Sequence, residues 1–119
     1  MRVEAVLERR RARQRELIDR AREFVAGLRS NTRVRAAVVF GSVTRGDVNL
    51  WSDIAVLVVP DDLRDRVLDR LSDPGPRPPL VQPVAWTPDE WRTQLGRGNP
   101  IAREALEAGV WLVGSPDEP

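Results

Sequence analysis

The sequence predicts an α+β domain in which helices flank a small mixed β-sheet and a long helix stands at the N-terminus. Three observations lead to this prediction. The chain has no glycine before Gly27 and no proline in that stretch. Short runs rich in β-branched residues then alternate with amphipathic helical segments. The length of 119 residues and the hydrophobic fraction of 41% suit one compact domain.

The N-terminal helix is predicted over residues 2–28, because strong helix formers fill this segment and Gly27 or Ser30-Asn31 ends it. Its second half carries an apolar stripe at helical spacing, made of Leu17, Ile18, Ala21, Phe24, Val25 and Leu28. Polar residues, Arg10, Arg11 and Gln14, occupy that stripe in the middle of the helix. The first half adds Val3, Val6 and Leu7. We expect it to project beyond the core, either as a docking element for a second chain or as a partly exposed helix end.

Three segments rich in β-branched residues are predicted as strands: Val34–Phe40, Ser52–Val59 and Leu80–Trp86. Between the second and third, Asp62–Leu71 has its apolar residues on one helical face, and a proline-rich loop over residues 73–79 follows. This order is typical of a β-α-β unit. Because proline cannot donate a hydrogen bond to a sheet, we expect Pro83 at a sheet edge or a bulge.

Two short helices and a strand are predicted at the C-terminal end. The capping box Thr87-Pro88-Asp89-Glu90 opens one helix, which Gly96-Arg97-Gly98-Asn99 stops. Pro100–Ala108 is the next helix, closed by Gly109, and Val110–Val113 is the last strand. We therefore predict a single domain over residues 1–119, with the N-terminal helix at 1–29, the core at 34–114 and a tail at 115–119.

The composition excludes several kinds of site. With no Cys and no His, the chain has no disulfide, no thiolate nucleophile, no imidazole base and no His-ligated metal. All 19 basic residues are Arg, which excludes a catalytic lysine. Catalysis must then depend on carboxylates, hydroxyls, Arg and backbone dipoles, and any metal would be a hard cation with oxygen ligands.

The net charge of +1 conceals a basic N-terminal segment, since residues 1–35 contain 11 Arg and five acidic residues. Interleaved acids fit i,i+4 ion pairs on a solvated helix, which we favour over a face that attracts nucleic acid, an acidic partner or nucleotide phosphates. No apolar run approaches the roughly 20 residues that span a bilayer. The first residues also lack the apolar core of a secretory signal, so we expect a cytoplasmic protein with no membrane segment.

The motif that carries chemistry is a strand followed by Gly41-Ser42-Val43-Thr44-Arg45-Gly46, with Ser52-Asp53 opening the next strand. Gly41 lets the backbone approach a ligand closely, while Ser42 and the following N–H groups can receive phosphate oxygens. Arg45 can add a bidentate phosphate contact. A left-handed turn would by itself explain Gly41, so the Gly-Ser pair is informative only together with the rest of the motif.

Taken whole, this motif resembles that of the minimal nucleotidyltransferase family, which belongs to the polymerase-β-like superfamily. The resemblance extends from Val34 to Gly114, because three later segments are similar to the family's closing helices and last strand: Val84–Trp91, Arg97–Pro100 and Ala105–Gly114. It implies a nucleotidyltransferase-like fold. In the family, a Gly-Ser turn grips a nucleoside triphosphate, and two carboxylates spaced i, i+2 on the next strand hold two divalent metals with a third from a later strand.

Carried onto this sequence, the resemblance implies that Gly41, Ser42 and Arg45 bind the nucleotide. It implies that Asp53 is the catalytic carboxylate and a metal ligand. The implied ligands are Mg²⁺, bound weakly or not at all, and ATP or another NTP. Residues two apart on a strand point to the same face, which is why the family's carboxylates can converge on the metals.

The sequence departs from the family at two carboxylate positions. Ala55 stands two residues after Asp53, and Gln82 stands near the third position, on a predicted strand with no Asp or Glu. One carboxylate is too little charge for two divalent cations, so we expect little or no two-metal transfer. The substitutes within the chain are Asp47, Asp61 and Asp62, none of which is predicted on the required strand face, and a carboxylate from a partner chain is a further alternative.

These features predict a catalytically impaired protein that acts by partner binding, as the antitoxin-like member of a pair with a HEPN-domain protein, a partner that the resemblance implies. Two alternatives stay open. One is an active enzyme that transfers NMP from an NTP to a protein hydroxyl or a small molecule. The other, with less support, is nucleic-acid binding through the Arg-rich helix. A homodimer also stays open.

Three tryptophans are predicted to pack in the core: Trp86, Trp91 and Trp111.

Overall fold

The computed structural model describes residues 3–30, 33–45, 54–61 and 81–115. Within these ranges the chain forms three helices and a four-stranded mixed sheet. The helices are α1 (Val3–Arg29), α2 (Pro88–Gly96) and α3 (Pro100–Ala108). The strands are β1 (Val34–Phe40), β2 (Ile54–Pro60), β3 (Val81–Ala85) and β4 (Val110–Val113). The predicted α+β class and long N-terminal helix are confirmed, while the predicted helix Asp62–Leu71 and the loop over residues 73–79 lie outside the described residues.

The sheet has the strand order β3-β2-β1-β4. β1 pairs antiparallel with β2 and β4, whereas β2 and β3 run parallel. The central strands β1 and β2 are buried along most of their length, which explains their runs of apolar residues. Pro83 lies in the middle of β3, an edge strand of the sheet, so its predicted edge position is confirmed.

Helix α1 covers one face of the sheet with its second half. The buried residues of the helix, Leu17, Ala21, Val25 and Leu28, pack on strand residues that include Ala37, Val39, Ile54, Val56 and Val58. In the first half, Val3 is 71% exposed and Leu7 is 43% exposed. The prediction that only the second half faces the core is confirmed.

Helices α2 and α3 cover the opposite face of the sheet. The predicted capping box opens α2: the Thr87 hydroxyl accepts from the Glu90 N–H at 3.1 Å, and the Glu90 carboxylate accepts from the Thr87 N–H at 3.1 Å. Helix α3 opens at Asn99, whose side chain accepts from the Ile101 N–H at 2.9 Å. After α3 the chain turns into β4 at Gly109, where an added Cβ would lie 2.4 Å from Val38 Cγ2 and so could not fit.

Three tryptophans form a cluster on this second face. Trp91 is 1% exposed, and its ring centroid lies 6.4 Å from that of Trp86 and 5.8 Å from that of Trp111. The Trp91 and Trp111 rings meet edge to face, a preferred arrangement for aromatic pairs. The predicted core packing of these rings is confirmed. Among the described residues, no helix has the length and apolar character needed to cross a membrane.

Candidate functional site

The candidate site lies at the turn from Gly41 to Arg45, where β1 ends. Gly41 has a φ of +85°, in the left-handed region that residues with a Cβ rarely adopt. Its carbonyl oxygen accepts from the Thr44 N–H at 3.1 Å, the Arg45 N–H at 3.4 Å and the Thr44 hydroxyl at 2.9 Å. The segment therefore folds as one tight helical turn directly after the strand.

Two helices on opposite faces of the sheet hold this turn. From α1, Gln14 Nε2 donates to the Val43 carbonyl oxygen at 2.8 Å and to that of Thr44 at 3.4 Å. From α3, the Glu104 carboxylate forms an ion pair with the Arg45 guanidinium group. The Val43 side chain is fully buried in the core beneath α1. The turn is thus anchored from both helical layers and from the core.

Ser42 is the second residue of the turn and is half-buried. In the part of the chain that the structure describes, no hydrogen bond engages its hydroxyl group. The hydrogen bonds of the turn run from Thr44 and Arg45 back to Gly41, so they leave the N–H groups of Ser42 and Val43 without a partner inside the turn. This arrangement is able to receive phosphate oxygens, as the sequence predicts for Gly41 and Ser42.

Strands β2 and β3 bring two further positions beside the turn. Ala55 pairs with Phe40 on β1 and with Gln82 on β3. A Cβ built on Gly41 would lie 3.7 Å from the Ala55 Cβ. Because paired residues on neighbouring strands point to the same face, Ala55 and Gln82 lie side by side next to the turn. The structure therefore brings together Gly41, Ala55 and Gln82.

The side chains of Ala55 and Gln82, which form a row beside the turn, carry no charge. Ala55 is half-buried against the layer formed by α2 and α3, and Gln82 is exposed. A methyl group cannot ligate a metal, and a neutral amide adds no negative charge. Among the described residues, no three Asp or Glu side chains are grouped so that they could hold a metal ion. The described part of the site does not fit a pair of divalent cations.

Several predicted site residues cannot be placed. Asp53, the predicted catalytic carboxylate and metal ligand, lies outside the described residues, as do Gly46, Asp47, Ser52 and Asp62. Asp61 is described and pairs with Arg35 at 3.4 Å. It follows Pro60, whereas the turn lies beside the opposite end of β2. Asp61 therefore does not supply a carboxylate to the site.

The structure adds two residues that the sequence analysis did not assign to the site, Gln14 and Glu104. Gln14 had one signal, because it is a polar residue on the core-facing stripe of a helix. Glu104 had none, since it lies 59 residues from Arg45 and no local pattern links the two. Both bond to the turn rather than to each other.

A family model described as "Nucleotidyltransferase domain" matches residues 18–112. The match covers about four-fifths of the 119 residues and runs from the middle of α1 to β4, so it includes the whole turn and the row of Ala55 and Gln82. No curated protein and no solved structure matches the chain.

Proposed function

The chain belongs to the nucleotidyltransferase domain family, and we propose that it is a catalytically impaired member of the minimal nucleotidyltransferase type that acts by binding a partner protein. The proposed partner is a HEPN-domain protein, with this chain as the antitoxin-like member of the pair. The family match supports the fold and the kind of site. The proposed catalytic impairment depends on the positions at which this chain departs from the motif that it resembles.

The pairing of Ala55 with Gln82 beside Gly41 is the observation that carries the proposed impairment. In the family that the motif resembles, these two positions hold carboxylates that ligate two metals. Phosphoryl transfer of this kind needs the metals to activate the attacking hydroxyl and to neutralise the leaving group. With a methyl and an amide in their place, Asp53 would be the one carboxylate left of the three.

We propose that the turn still binds a nucleotide. Gly41 and Ser42 would receive phosphate oxygens of ATP or another NTP, and Arg45 would contact the phosphates once Glu104 releases it. Mg²⁺ would arrive with the phosphates and be held weakly, since it usually needs one or two protein carboxylates as well. The geometry that supports this proposal is the tight turn with the unengaged Ser42 hydroxyl.

The test is transfer of label from α-labelled NTPs to proteins of a host extract, with Mg²⁺ or Mn²⁺. The wild type is compared with Ala55→Asp/Gln82→Asp, which restores the two carboxylates. The variant Ala55→Asn/Gln82→Asn is the matched control, because Asn has the shape of Asp without its charge. Far-UV circular dichroism and urea unfolding establish that all three proteins are folded.

We expect label transfer by the restored variant alone, and its loss when Asp53→Ala is added. Transfer by the wild type that Asp53→Ala abolishes would overturn the proposed impairment and establish an active enzyme. If the Asn control also transfers label, the two missing carboxylates do not explain the inactivity of the wild type.

The antitoxin role has its own test. The test first looks for a HEPN-domain gene next to the gene of this chain, and a HEPN-domain protein found there is expressed alone and together with this chain in the same host. We expect the HEPN protein to slow growth and the wild type to restore it, with Asp53→Ala restoring growth equally well. Rescue that depends on Asp53 would instead assign the effect to nucleotide transfer.

An active transferase is the second candidate function. The observation that favours it is the complete turn, with Gly41, Ser42 and Arg45 in one helical turn after β1. Because the chain contains no Tyr, the acceptor would be a Ser or Thr hydroxyl of the chain, another protein or a small molecule. Nucleic-acid binding through the Arg-rich half of α1 has weaker support, since the arginines lie around the whole helix.

A further inference from the structure

We propose that the first half of α1, residues 3–15, is a docking surface for an apolar helix with acidic flanks that belongs to a different protein. The inference rests on the proposed function in one respect: it assumes that the chain works by binding a partner. It adds the location of the interface and the chemistry of the partner's surface. We call residues 3–15 the projecting half.

The projecting half extends the apolar stripe of α1 beyond the core. At 3.6 residues per turn, Val3, Val6 and Leu7 fall on the same side of the helix as the buried Leu17 and Leu28. The contact of Gln14 with Val43 is where α1 meets the turn, and Val3 and Leu7 remain 71% and 43% exposed. Beyond Arg10 and Gln14 the stripe therefore resumes on a helical segment in which Val3 and Leu7 are exposed and Val6 is half-buried.

Three arginines lie along or within the stripe. On the helix, Arg9 lies on one side of the stripe, Arg11 lies on the other, and Arg10 lies within it. In the described ranges, none of these three arginines forms an ion pair. Of the acidic residues in the projecting half, Glu8 falls on the opposite side of the helix, whereas Glu4 lies on the same edge as Arg11, two turns before it. The surface is thus an apolar stripe with a net positive charge, because these three arginines, unpaired within the described residues, stand against Glu4.

The apolar stripe and its charges indicate which kind of partner can bind this surface. An amphipathic helix lays its apolar face on such a stripe, and acidic residues at its flanks pair with the arginines, as in helical pairs of opposite charge. A second copy of the chain packed in parallel would bring the arginines against arginines, which like-charge repulsion disfavours, and an antiparallel copy would offer only Glu4 against three arginines. A nucleic acid would use the charge but would leave the apolar residues without a contact, and no aromatic residue in the segment can stack on a base.

The projecting half also lies outside the part of the chain that the family model matches. That match begins at residue 18, so all of residues 3–15 precede it. Gln14 bonds to the turn, but among the described residues no other side chain of the projecting half hydrogen-bonds to the turn or the sheet, so Val3, Leu7, Arg9 and Arg11 are open to substitution. This separation allows the surface to be tested in the whole 119-residue chain.

The test measures fluorescence anisotropy of labelled helical peptides titrated with the full chain. The probe is a peptide of three heptads with Leu at the a and d positions and Glu at e and g, and the comparison peptide has Lys in place of Glu. We expect the Glu peptide to bind at least about tenfold more tightly than the Lys peptide. We expect its binding to weaken as salt rises from 50 to 500 mM, since ionic screening reduces attraction at the exposed flanks.

Matched variants locate the surface. Val3→Ser/Leu7→Ser should weaken binding of the Glu peptide at least about fivefold, as should Arg9→Gln/Arg11→Gln. The first control is Leu106→Ser, because Leu106 on α3 is 45% exposed, much like Leu7. The second is Arg29→Gln/Arg97→Gln, which removes two exposed charges elsewhere. Both controls should bind within twofold of the wild type.

Three results would overturn the proposal. The first is that the Glu peptide binds the Val3→Ser/Leu7→Ser variant as tightly as it binds the wild type. The second is that a 20-nucleotide RNA or DNA displaces the peptide and that binding of this nucleic acid depends on Arg9 and Arg11. The third is that sedimentation shows a dimer of the wild type and a monomer of the Leu7→Ser variant. The label-transfer test separates this inference from the proposed function. An active wild type would overturn the proposed impairment and leave the peptide results as they stand.

Discussion

Gly41 has the backbone conformation on which the turn of the candidate site depends. Its φ of +85° and its carbonyl oxygen, which accepts from Thr44 and Arg45, together define the turn. Space alone would admit a methyl group, because a Cβ would lie at an ordinary contact distance of 3.7 Å from the Ala55 Cβ. Backbone strain therefore decides the effect of a substitution there.

We expect Gly41→Ala to lower the free energy of unfolding by about 1 kcal/mol, the cost of placing an L-residue in the left-handed region. The measurement is urea unfolding followed by circular dichroism. Gly27→Ala is the matched control, since Gly27 lies inside α1 with nothing within 4 Å of an added Cβ. It should raise the unfolding free energy by about 0.5–1 kcal/mol. Equal effects of the two substitutions would contradict the role assigned to the φ angle.

Glu104 neutralises part of the positive charge that the turn presents. It pairs with Arg45, so a phosphate group would have to compete with a carboxylate for the same guanidinium. We expect Glu104→Gln to tighten binding of a fluorescent ATP analogue by about two- to fivefold, the range that an exposed ion pair is worth. Glu107→Gln is the control, because Glu107 is also on α3 but pairs with Arg103 at 3.8 Å. An affinity that follows Glu107 instead would place the nucleotide elsewhere.

At the scale of elements, the capping box of α2 is the clearest link between local sequence and structure. Two reciprocal hydrogen bonds of 3.1 Å join Thr87 and Glu90. We expect Thr87→Ala to cost about 1 kcal/mol of stability, because it leaves the Glu90 N–H without its acceptor. Thr93→Ala, at an exposed position inside α2, should change stability by no more than about 0.5 kcal/mol. Thermal unfolding of the two variants provides the comparison.

Elements with local signals were predicted closely, and long-range contacts were not. The capping box, Gly109 and the proline at the start of α3 marked the C-terminal helices, and the strand Val34–Phe40 has the predicted bounds. The second and third strands each differ from the predicted C-terminal end by one residue, since strand ends depend on the partner strand. The strand order joins segments far apart in the chain, on which local patterns carry no information, whereas the parallel pairing of β2 with β3 agrees with the predicted β-α-β order.

The same distinction holds for the candidate site. The turn and the position of Ala55 and Gln82 followed from the motif, and the register of β2 and β3 places those two residues directly opposite each other. The contacts of Gln14 and Glu104 with the turn span 29 and 59 residues. They depend on how α1 and α3 pack on the two faces of the sheet, which the sequence alone did not determine.

The whole molecule is more extended than a sphere-like domain of its length. Its Cα radius of gyration is 14.8 Å and its principal extents are 50 × 33 × 19 Å, whereas a compact chain of this length has a radius of gyration of about 13.5 Å. Helix α1, at 27 residues, is about 40 Å long. Its first half contributes length to the molecule and little to the core.

Removing residues 1–11 should therefore reduce the radius of gyration measured by small-angle scattering and change the free energy of unfolding by less than about 1 kcal/mol. Leu17→Ala is the contrasting variant, because Leu17 is fully buried, and it should cost about 2–5 kcal/mol. A large loss of stability on truncation would mean that the first half of α1 belongs to the core after all.

The tryptophan cluster gives the two faces of the sheet different optical signatures. Trp86, Trp91 and Trp111 all lie on the face covered by α2 and α3, whereas α1, on the other face, has 27 helical residues against nine in each of the other two helices. In a Trp51→Phe variant, intrinsic tryptophan emission reports on the layer formed by α2 and α3. Ellipticity at 222 nm reports mainly on α1, on the other face. Denaturation curves that coincide would show that the layers melt together, and curves that separate would show which one detaches first.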